Sequence, residues 1–328
     1  MHTGKRYKLK EFLIWTRRDI YWLFVLAVIP TVLYKIFNIH WVALPWVPIA
    51  MVGTAAAFII GFKNTQTYNR LWEARQIWGA IVNSSRSWGI LSRDFIKVDK
   101  SVHQQFMLRH CAWLTALRYQ LREPRTWENS GRAHFKEYRK FYSVPEWEIP
   151  LEDELKKYLS ADELHYVLSK KNRATQVIAL QSKHLKELRQ KDAIGGLEHI
   201  ELENMLANLY EQQGKCERIK NFPYPRQFAS ITLFFVWMFV ILLPMGMLGE
   251  FARIHPDCAW FAIPFSMIVS WVFTSMDRVG EATENPFEGG PNDIPMANMS
   301  RTIEIDLREM LDEENIPTAI TPVNNIVL

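Results

Sequence analysis

The sequence predicts an all-α, multi-pass membrane protein whose transmembrane helices extend into a cytoplasmic helical bundle. Four apolar windows contain no Asp, Glu or Arg, and each is close to the roughly 20 residues that cross a bilayer as a helix. The long charged region between the second and third windows has apolar residues at helical spacing. No segment shows the alternation typical of a strand. These observations favour helices throughout.

The four windows predict four transmembrane helices, namely Ile20–Phe37, Trp41–Phe62, Phe228–Gly249 and Cys258–Met276. One such window alone is also compatible with a core helix of a soluble protein, but four together favour a membrane. Two prolines in the second window fit a membrane bundle better than a soluble core.

Basic residues near the windows predict the orientation. Six of them precede the first window, and three follow the second, whereas the connection between these windows is only "NIH". The positive-inside rule then places both termini and the long middle region in the cytoplasm. Cys111, Cys216 and Cys258 are far apart, which indicates neither a disulfide framework nor a zinc site.

The windows divide the chain into four parts. Residues 1–62 hold an N-terminal segment and the first two spans, 63–227 a cytoplasmic helical region, and 228–276 the last two spans. Residues 277–328 hold a turn-rich loop, an acidic amphipathic helix and a tail. The apolar ends of the tail imply packing against a partner surface, and a disordered tail is the alternative.

Motifs of catalysis are absent from the sequence. It contains no phosphate-binding glycine loop, no dinucleotide fingerprint and no zinc-protease motif. We therefore expect no enzyme activity, no cofactor, no metal site and no nucleic-acid partner.

One face of the second window has a distinct pattern. Thr54, Phe58 and Phe62 repeat every four residues and share a helix face. If that face lines the axis of a symmetric oligomer, it forms stacked rings and a narrow apolar constriction that gates by dewetting. The alternative is that Phe58 and Phe62 pack against another helix.

Several segments together resemble the bestrophin family in its bacterial branch. They are "GFKNTQTYNRLWEARQIWGAIVNSSRSWG" at 61–89, "CERI" at 216–219, "FPYP" at 222–225 and "ENPFEGGPNDIPM" at 284–296. The resemblance implies a homopentameric ion channel in the cell inner membrane. Its single central pore would be lined by the second membrane helix and would continue through the cytoplasmic helices.

The resemblance also implies roles for individual residues. The membrane neck falls on Thr54, Phe58 and Phe62, where Thr54 departs from the family's bulky aliphatic residue. The second, cytoplasmic constriction falls on Leu197, with Ile200 as the alternative.

The turn-rich loop resembles the calcium clasp of animal bestrophins. It contains Asn285, Pro286, Phe287 and Asp293, of which Asn285 and Asp293 match clasp positions. Calcium takes six to eight oxygen ligands, and "EGGPN" replaces most of the acid cluster. We expect a structural brace that holds no metal, and hence a channel that calcium does not gate.

The permeant ion is the least constrained expectation. Bacterial relatives are associated with sodium, and Glu198 and Glu201 beside the lower constriction favour cations if they face the pore. We therefore expect a channel for small monovalent cations. The alternatives are that these carboxylates face solvent, that the channel passes chloride, and that the chain is a membrane-anchored scaffold without conductance.

Overall fold

The computed structural model describes residues 1–328, apart from the side chain of His134. The described backbone forms twelve α-helices: α1 (Leu9–Lys35), α2 (Trp46–Phe95), α3 (Lys100–Arg122), α4 (Ala133–Tyr138), α5 (Pro145–Glu148), α6 (Leu151–Leu155), α7 (Ala161–Leu168), α8 (Arg173–Gln190), α9 (Gly196–Asn221), α10 (Arg226–Ile254), α11 (Ala262–Thr283) and α12 (Met296–Glu309). The only extended pairing in the described backbone is two isolated bridges near the chain ends. The all-α prediction is confirmed.

Helix α2 is a continuous helix of 50 residues. It begins after Pro45 and meets no further proline after Pro48, and its glycines are isolated, so nothing interrupts its hydrogen-bond ladder. At 1.5 Å per residue it is about 75 Å long. The apolar window therefore runs without a break into the charged region, as the sequence predicted, and the division at residue 62 falls inside one helix.

Three helical segments are long and apolar enough to cross a membrane: His40–Phe95, Arg226–Ile254 and Pro256–Thr283. They contain the second, third and fourth predicted windows. Helix α1 ends at Lys35, two residues before the predicted end of the first window. Its uncharged part, from Ile20 to Tyr34, is about 22 Å long against about 30 Å of hydrocarbon. The first of the four predicted spans thus stays a prediction.

The apolar helices pack around α2. Helices α10 and α11 both lie against it, and α1 lies against α11. Gly53 of α2 faces the ring of Phe239, and Gly246 of α10 faces Ile49 and Trp46. Any side chain at either glycine would strike these neighbours, so the two small residues allow close approach of α2 and α10.

The charged region folds into a second layer with one continuous core. Helices α2, α3, α8, α9 and α12 contribute to it, and its largest fully buried side chains include Trp78, Trp88 and Trp113. The loop after α11 inserts Phe287 into this core. The short helices α4 to α7 form an irregular connection between α3 and α8, and Pro124, Pro145 and Pro150 interrupt its first part.

The tail packs against its own chain. Ile326 and Leu328 are buried against Tyr142 and Val144. The backbone N–H of Thr3 donates to the carbonyl of Asn325 over 2.7 Å. The expectation of a separate partner surface is therefore corrected, because the apolar ends of the tail are covered by the region around residues 142–144.

Candidate functional site

One face of α2 is exposed along most of the helix. Thr54, Phe58 and Phe62 all lie on this face, and Phe58 is 77% exposed although it sits in the apolar part of the helix. The opposite face, which includes Gly53, Ala56 and Ile60, is buried. Phe62 is 46% exposed, and its ring lies 6.0 Å from that of Phe228 on α10. The predicted neck residues therefore share a face that the described residues of the chain leave open at Thr54 and Phe58 and cover in part at Phe62.

The exposed face continues far beyond the apolar window. We define the α2 stripe as the exposed residues spaced three or four apart, with half-buried Ala80 and Ser87 completing the spacing: Val47, Met51, Thr54, Phe58, Phe62, Thr65, Asn69, Trp72, Gln76, Asn83 and Ile90. None of these residues is charged. From Val47 to Ile90 the stripe extends about 65 Å. Its composition changes from apolar near Phe58 to polar amides and hydroxyls beyond Phe62.

Helix α9 runs antiparallel to α2 and contains Leu197 and Ile200, the residues predicted for the lower constriction. Ser84 Oγ donates to Asn208 Oδ1 over 2.9 Å, and the backbone N–H of Lys97 donates to the carbonyl of Ala193 over 2.9 Å. The start of α9 therefore lies beside the far end of α2. Leu197 is 79% exposed and Ile200 is 56% exposed.

The carboxylates at this end differ in environment. Glu201 is exposed, whereas Glu198 is half-buried and its carboxylate folds back against Gly195. Glu203 turns toward α8, where it accepts a hydrogen bond from Ser182 Oγ over 3.0 Å. Glu198 and Glu201 thus lie close to Leu197 and Ile200, and Glu203 is committed to a contact within the subunit.

The loop after α11 is buried almost completely. Asn285 Nδ2 donates to Glu288 Oε2 over 3.2 Å, and the backbone N–H of Gly289 donates to Asp293 Oδ2 over 2.7 Å. The backbone N–H of Ile294 donates to the carbonyl of Pro286 over 3.2 Å, which closes the loop. The side chains of Asn285, Phe287 and Asp293 thus hold one compact shape.

Gly289 has a positive φ of 86° and lies against the ring of Trp147. Tyr142 Oη donates to the Gly289 carbonyl over 2.9 Å. A side chain at this position would be strained by the backbone angle and would strike the indole. This glycine is therefore required both for the turn and for the contact.

Charges from α3 and the irregular connection neutralise part of the loop. Arg122 Nη1 lies 3.4 Å from Asp293 Oδ2, and Arg122 Nη2 donates to the Ile294 carbonyl over 3.3 Å. Arg122 also contacts Glu146, which in turn pairs with Arg118. No local pattern predicts these pairs, because their members are more than 20 residues apart.

Glu288 is the loop residue whose role the sequence analysis missed. It is buried, its Oε2 accepts the backbone N–H of Asn129 over 2.8 Å, and its Oε1 has no hydrogen-bond partner among the described residues. Burial and the nearby Asp293 raise the pKa of Glu288 well above its ordinary value. Burial also raises the pKa of Asp293 to about 6, against the opposing effect of Arg122.

Within the described residues, no group of three or more His, Cys, Asp and Glu side chains is arranged to hold a metal ion. The Asp293 carboxylate faces an arginine, and the Glu288 carboxylate accepts from backbone and amide N–H groups. Helix α11, which leads into the loop, is bonded to α2: Asn64 Nδ2 donates to the Met276 carbonyl over 3.0 Å, and Thr283 Oγ1 donates to Thr67 Oγ1 over 3.0 Å.

Comparison with known proteins supports this architecture. The voltage-dependent anion channel-forming protein YneE of Escherichia coli (strain K12) is 28% identical over 278 residues, which cover 84% of this chain and 80% of that protein. The voltage-dependent anion channel-forming protein RSc3414 of Ralstonia nicotianae is 24% identical over 290 residues, covering 85% and 83%.

The fold matches a solved structure as well. The crystal structure of a bacterial bestrophin homologue from Klebsiella pneumoniae superposes with a TM-score of 0.76 at 22% identity, covering 91% of this chain and 99% of that one. The family described as "Bacterial/Fungal Bestrophin protein" matches residues 15–309. The long α2, the apolar helices and the buried loop all lie within the matched range. The chain therefore belongs to the bacterial and fungal bestrophin family.

Proposed function

We propose that the protein is an ion channel, a homopentamer around one central pore that the α2 stripe lines. The observation that carries this proposal is the exposed, uncharged stripe, with Phe58 at its centre. A large apolar side chain that its own subunit leaves exposed faces lipid, another subunit or the pore. Lipid contact would explain only the apolar part of the stripe, whereas a pore axis explains why the same face stays exposed through Asn69, Gln76 and Asn83.

The neck in this proposal consists of Thr54, Phe58 and Phe62, and the lower aperture of Leu197 and Ile200. Five copies of Phe58 would form an apolar ring that water leaves readily, which is how hydrophobic constrictions gate. The loop that contains Asn285, Pro286, Phe287 and Asp293 serves as a brace for α2, independent of calcium. The burial of Phe287 in the core that α2 helps to form supports this role, as do the hydrogen bonds from Asn64 and Thr67 to α11, the helix that leads into the loop.

We propose that anions cross this pore. The curated relatives are named as anion channel-forming proteins, and this favours anions over the sodium permeability that the bacterial resemblance suggested. The stripe itself is neutral, and Asn69, Gln76 and Asn83 offer amide N–H donors to an anion that has lost part of its hydration.

Cation permeability is the second candidate because of the carboxylates at the lower aperture. Glu201 is exposed and Glu198 is half-exposed beside Leu197. Five copies of each would form acidic rings if they face the axis, and acidic rings favour cations. The two candidates share the fold and differ in the sign of the ion.

The test is the reversal potential of purified protein in a planar bilayer under a sodium chloride gradient. A reversal near the chloride equilibrium potential supports the anion channel, and one near the sodium potential supports the cation channel. The double variant E198Q/E201Q should leave an anion-selective reversal in place and should abolish a cation-selective one. Glu187→Gln on α8 is the matched control. No current from folded, reconstituted protein would favour the scaffold.

The cellular arrangement is part of the same proposal. The predicted spans within residues 1–62 and 228–276 would cross the inner membrane, with 63–227, 277–328 and both termini in the cytoplasm. Native mass spectrometry of the detergent complex tests the subunit number, with five copies expected. Cysteine labelling of Lys10→Cys in intact and opened cells tests the side on which the N-terminus lies.

A further inference from the structure

Two adjoining cavities lie where α1 enters the apolar layer, and Trp15 and Arg18 line both of them. The larger, of about 480 Å³, extends along α1 to Trp22 and Leu26 and along α10 to Trp237 and Ile241. The smaller, of about 160 Å³, is lined by Arg17, Glu137 and Lys140 among others. Neither touches the α2 stripe.

Basic side chains outnumber acidic ones at the smaller cavity, which we call the outer cavity. Arg17 and Arg18 both contact the single carboxylate of Glu137. Lys140 is exposed and has no ion-pair partner among the described side chains. Arg18 is half exposed, and its contact with Glu137 uses one of the five N–H donors of a guanidinium. The cavity therefore offers unmatched positive charge and free hydrogen-bond donors.

The larger cavity, which we call the inner cavity, is lined by charged residues at one end and by apolar residues elsewhere. At that end Arg278 is held by Asp19 in a two-point contact of 2.9 and 3.0 Å, so this pair is already neutral. Deeper in, Leu26, Trp237 and Ile241 form the walls. From Arg18 to Leu26 the helix rises about 12 Å, most of the roughly 15 Å of one hydrocarbon leaflet.

The cavity also opens outward to where a bilayer would lie. Trp22 is 64% exposed and Ile241 is 45% exposed. Tryptophan is enriched at the level of lipid headgroups, and Trp15 and Trp22 flank the arginines at that level. Exposed Lys5, Arg6 and Lys8 before α1, with Lys10 in its first turn, add a basic cluster of the kind that anionic lipid attracts.

We propose that this pair of cavities binds an anionic phospholipid of the cytoplasmic leaflet. Its phosphate contacts Arg18, with Lys140 and Arg17 beside it, and one acyl chain lies along Leu26 and Ile241. Charge complementarity at the mouth and an apolar wall one leaflet deep argue for a lipid over a free anion. The site is independent of the proposed conduction, because no stripe residue belongs to it.

The test is native mass spectrometry of the protein after titration with dioleoylphosphatidylglycerol or dioleoylphosphatidylcholine, which have the same chains. We expect the anionic lipid to be retained preferentially. Arg18→Ala should lower its affinity about fivefold, and Arg18→Lys should retain most of it. Arg253→Ala, an exposed arginine at the other end of α10, is the control and should change nothing.

A second variant addresses the apolar part of the site. Leu26→Trp should fill the inner cavity and reduce the retention of both lipids, even if Arg18→Ala does not fold. Equal retention of the two lipids by the unaltered protein would overturn the proposal. So would displacement of the anionic lipid by millimolar inorganic phosphate, which indicates a free-anion site. The absence of bound lipid on a folded oligomer would also overturn the proposal, since it would mean that another subunit covers the two cavities.

Discussion

Lys63 Nζ lies 2.6 Å from Asp277 Oδ1, and both side chains are buried, with exposed fractions of 3% and 8%. Lys63 directly follows Phe62 of the candidate neck, and Asp277 lies on α11, six residues before that helix ends at Thr283. The ion pair therefore joins the stripe-bearing helix to the helix that leads into the buried loop. A change on either side reaches the other through this contact.

We predict that Lys63→Met destabilises the protein by about 3–5 kcal/mol, because it leaves the Asp277 carboxylate buried without its partner. The free energy of unfolding in detergent micelles, measured by titration with a denaturing detergent, gives the value. The double variant K63M/D277L removes both charges and should recover most of the loss. Equal losses in the single and double variants would show that the pair is not the cause.

Removal of the Phe58 ring should increase ion flow. In the proposed pore, Phe58→Ala would widen the apolar ring and make it easier to wet, so we expect several-fold higher single-channel conductance or a constant leak. Bilayer recordings measure both. Phe24→Ala, at a comparably exposed phenylalanine of α1 outside the stripe, is the matched control. An unchanged current in Phe58→Ala would mean that this ring does not limit conduction.

Gly289→Ala should destabilise the loop by about 1–3 kcal/mol, because alanine is strained at a φ of 86° and its methyl group displaces the indole of Trp147. Thermal unfolding and tryptophan fluorescence report the two effects. Gly214→Ala in α9, where a methyl group meets no atom within 4 Å, should instead stabilise by about 0.5–1 kcal/mol. Similar effects at the two glycines would contradict the role of the loop geometry.

The stability of the loop should depend on pH through Glu288 and Asp293. Both carboxyls have a raised pKa in the folded protein, that of Asp293 about 6, so the folded state binds protons that the unfolded chain releases. The contribution of these groups is therefore complete below about pH 4, where the unfolded carboxyls are protonated as well, and it is lost as the pH rises through the folded pKa values. Glu288→Gln removes one titrating group.

We expect the unfolding temperature of Glu288→Gln to vary less between pH 5 and 8 than that of the unaltered protein, with the larger gain at pH 8. Differential scanning fluorimetry at fixed ionic strength measures both. Glu309→Gln, at the end of α12, controls for removal of one carboxylate elsewhere. If the two variants show the same pH dependence, ionisation of Glu288 does not destabilise the folded loop.

The sequence predicted the helices well because their signals are local. Apolar windows and the absence of prolines after Pro48 are enough to predict α2, and the spacing of Thr54, Phe58 and Phe62 is enough to place them on one face. Long-range contacts have no such local signal. The pairs Lys63–Asp277 and Arg122–Asp293 join residues more than 170 positions apart, and the burial of Glu288 depends on Asn129 from a different segment.

The first predicted span shows that a local signal can miss the ends of a helix. The window Ile20–Phe37 suggested a full crossing, yet α1 begins well before it and ends at Lys35. Asp19 and Arg18 are placed by contacts with Arg278 and Glu137, which are remote in sequence. The apolar window therefore does not give the bounds of the helix, which begins at Leu9, before the window, and ends two residues before Phe37.

Because α2 is one uninterrupted helix, it moves as a rigid rod. About 40 Å of helix separates Lys63 from Ile90, so a tilt of about 5° around Lys63 moves the far end by about 3.5 Å. The membrane end moves the opposite way at the same moment, because no joint interrupts the rod. A shift of the second, charged layer would thus move Phe58 through the helix itself, without rearrangement of side chains in between.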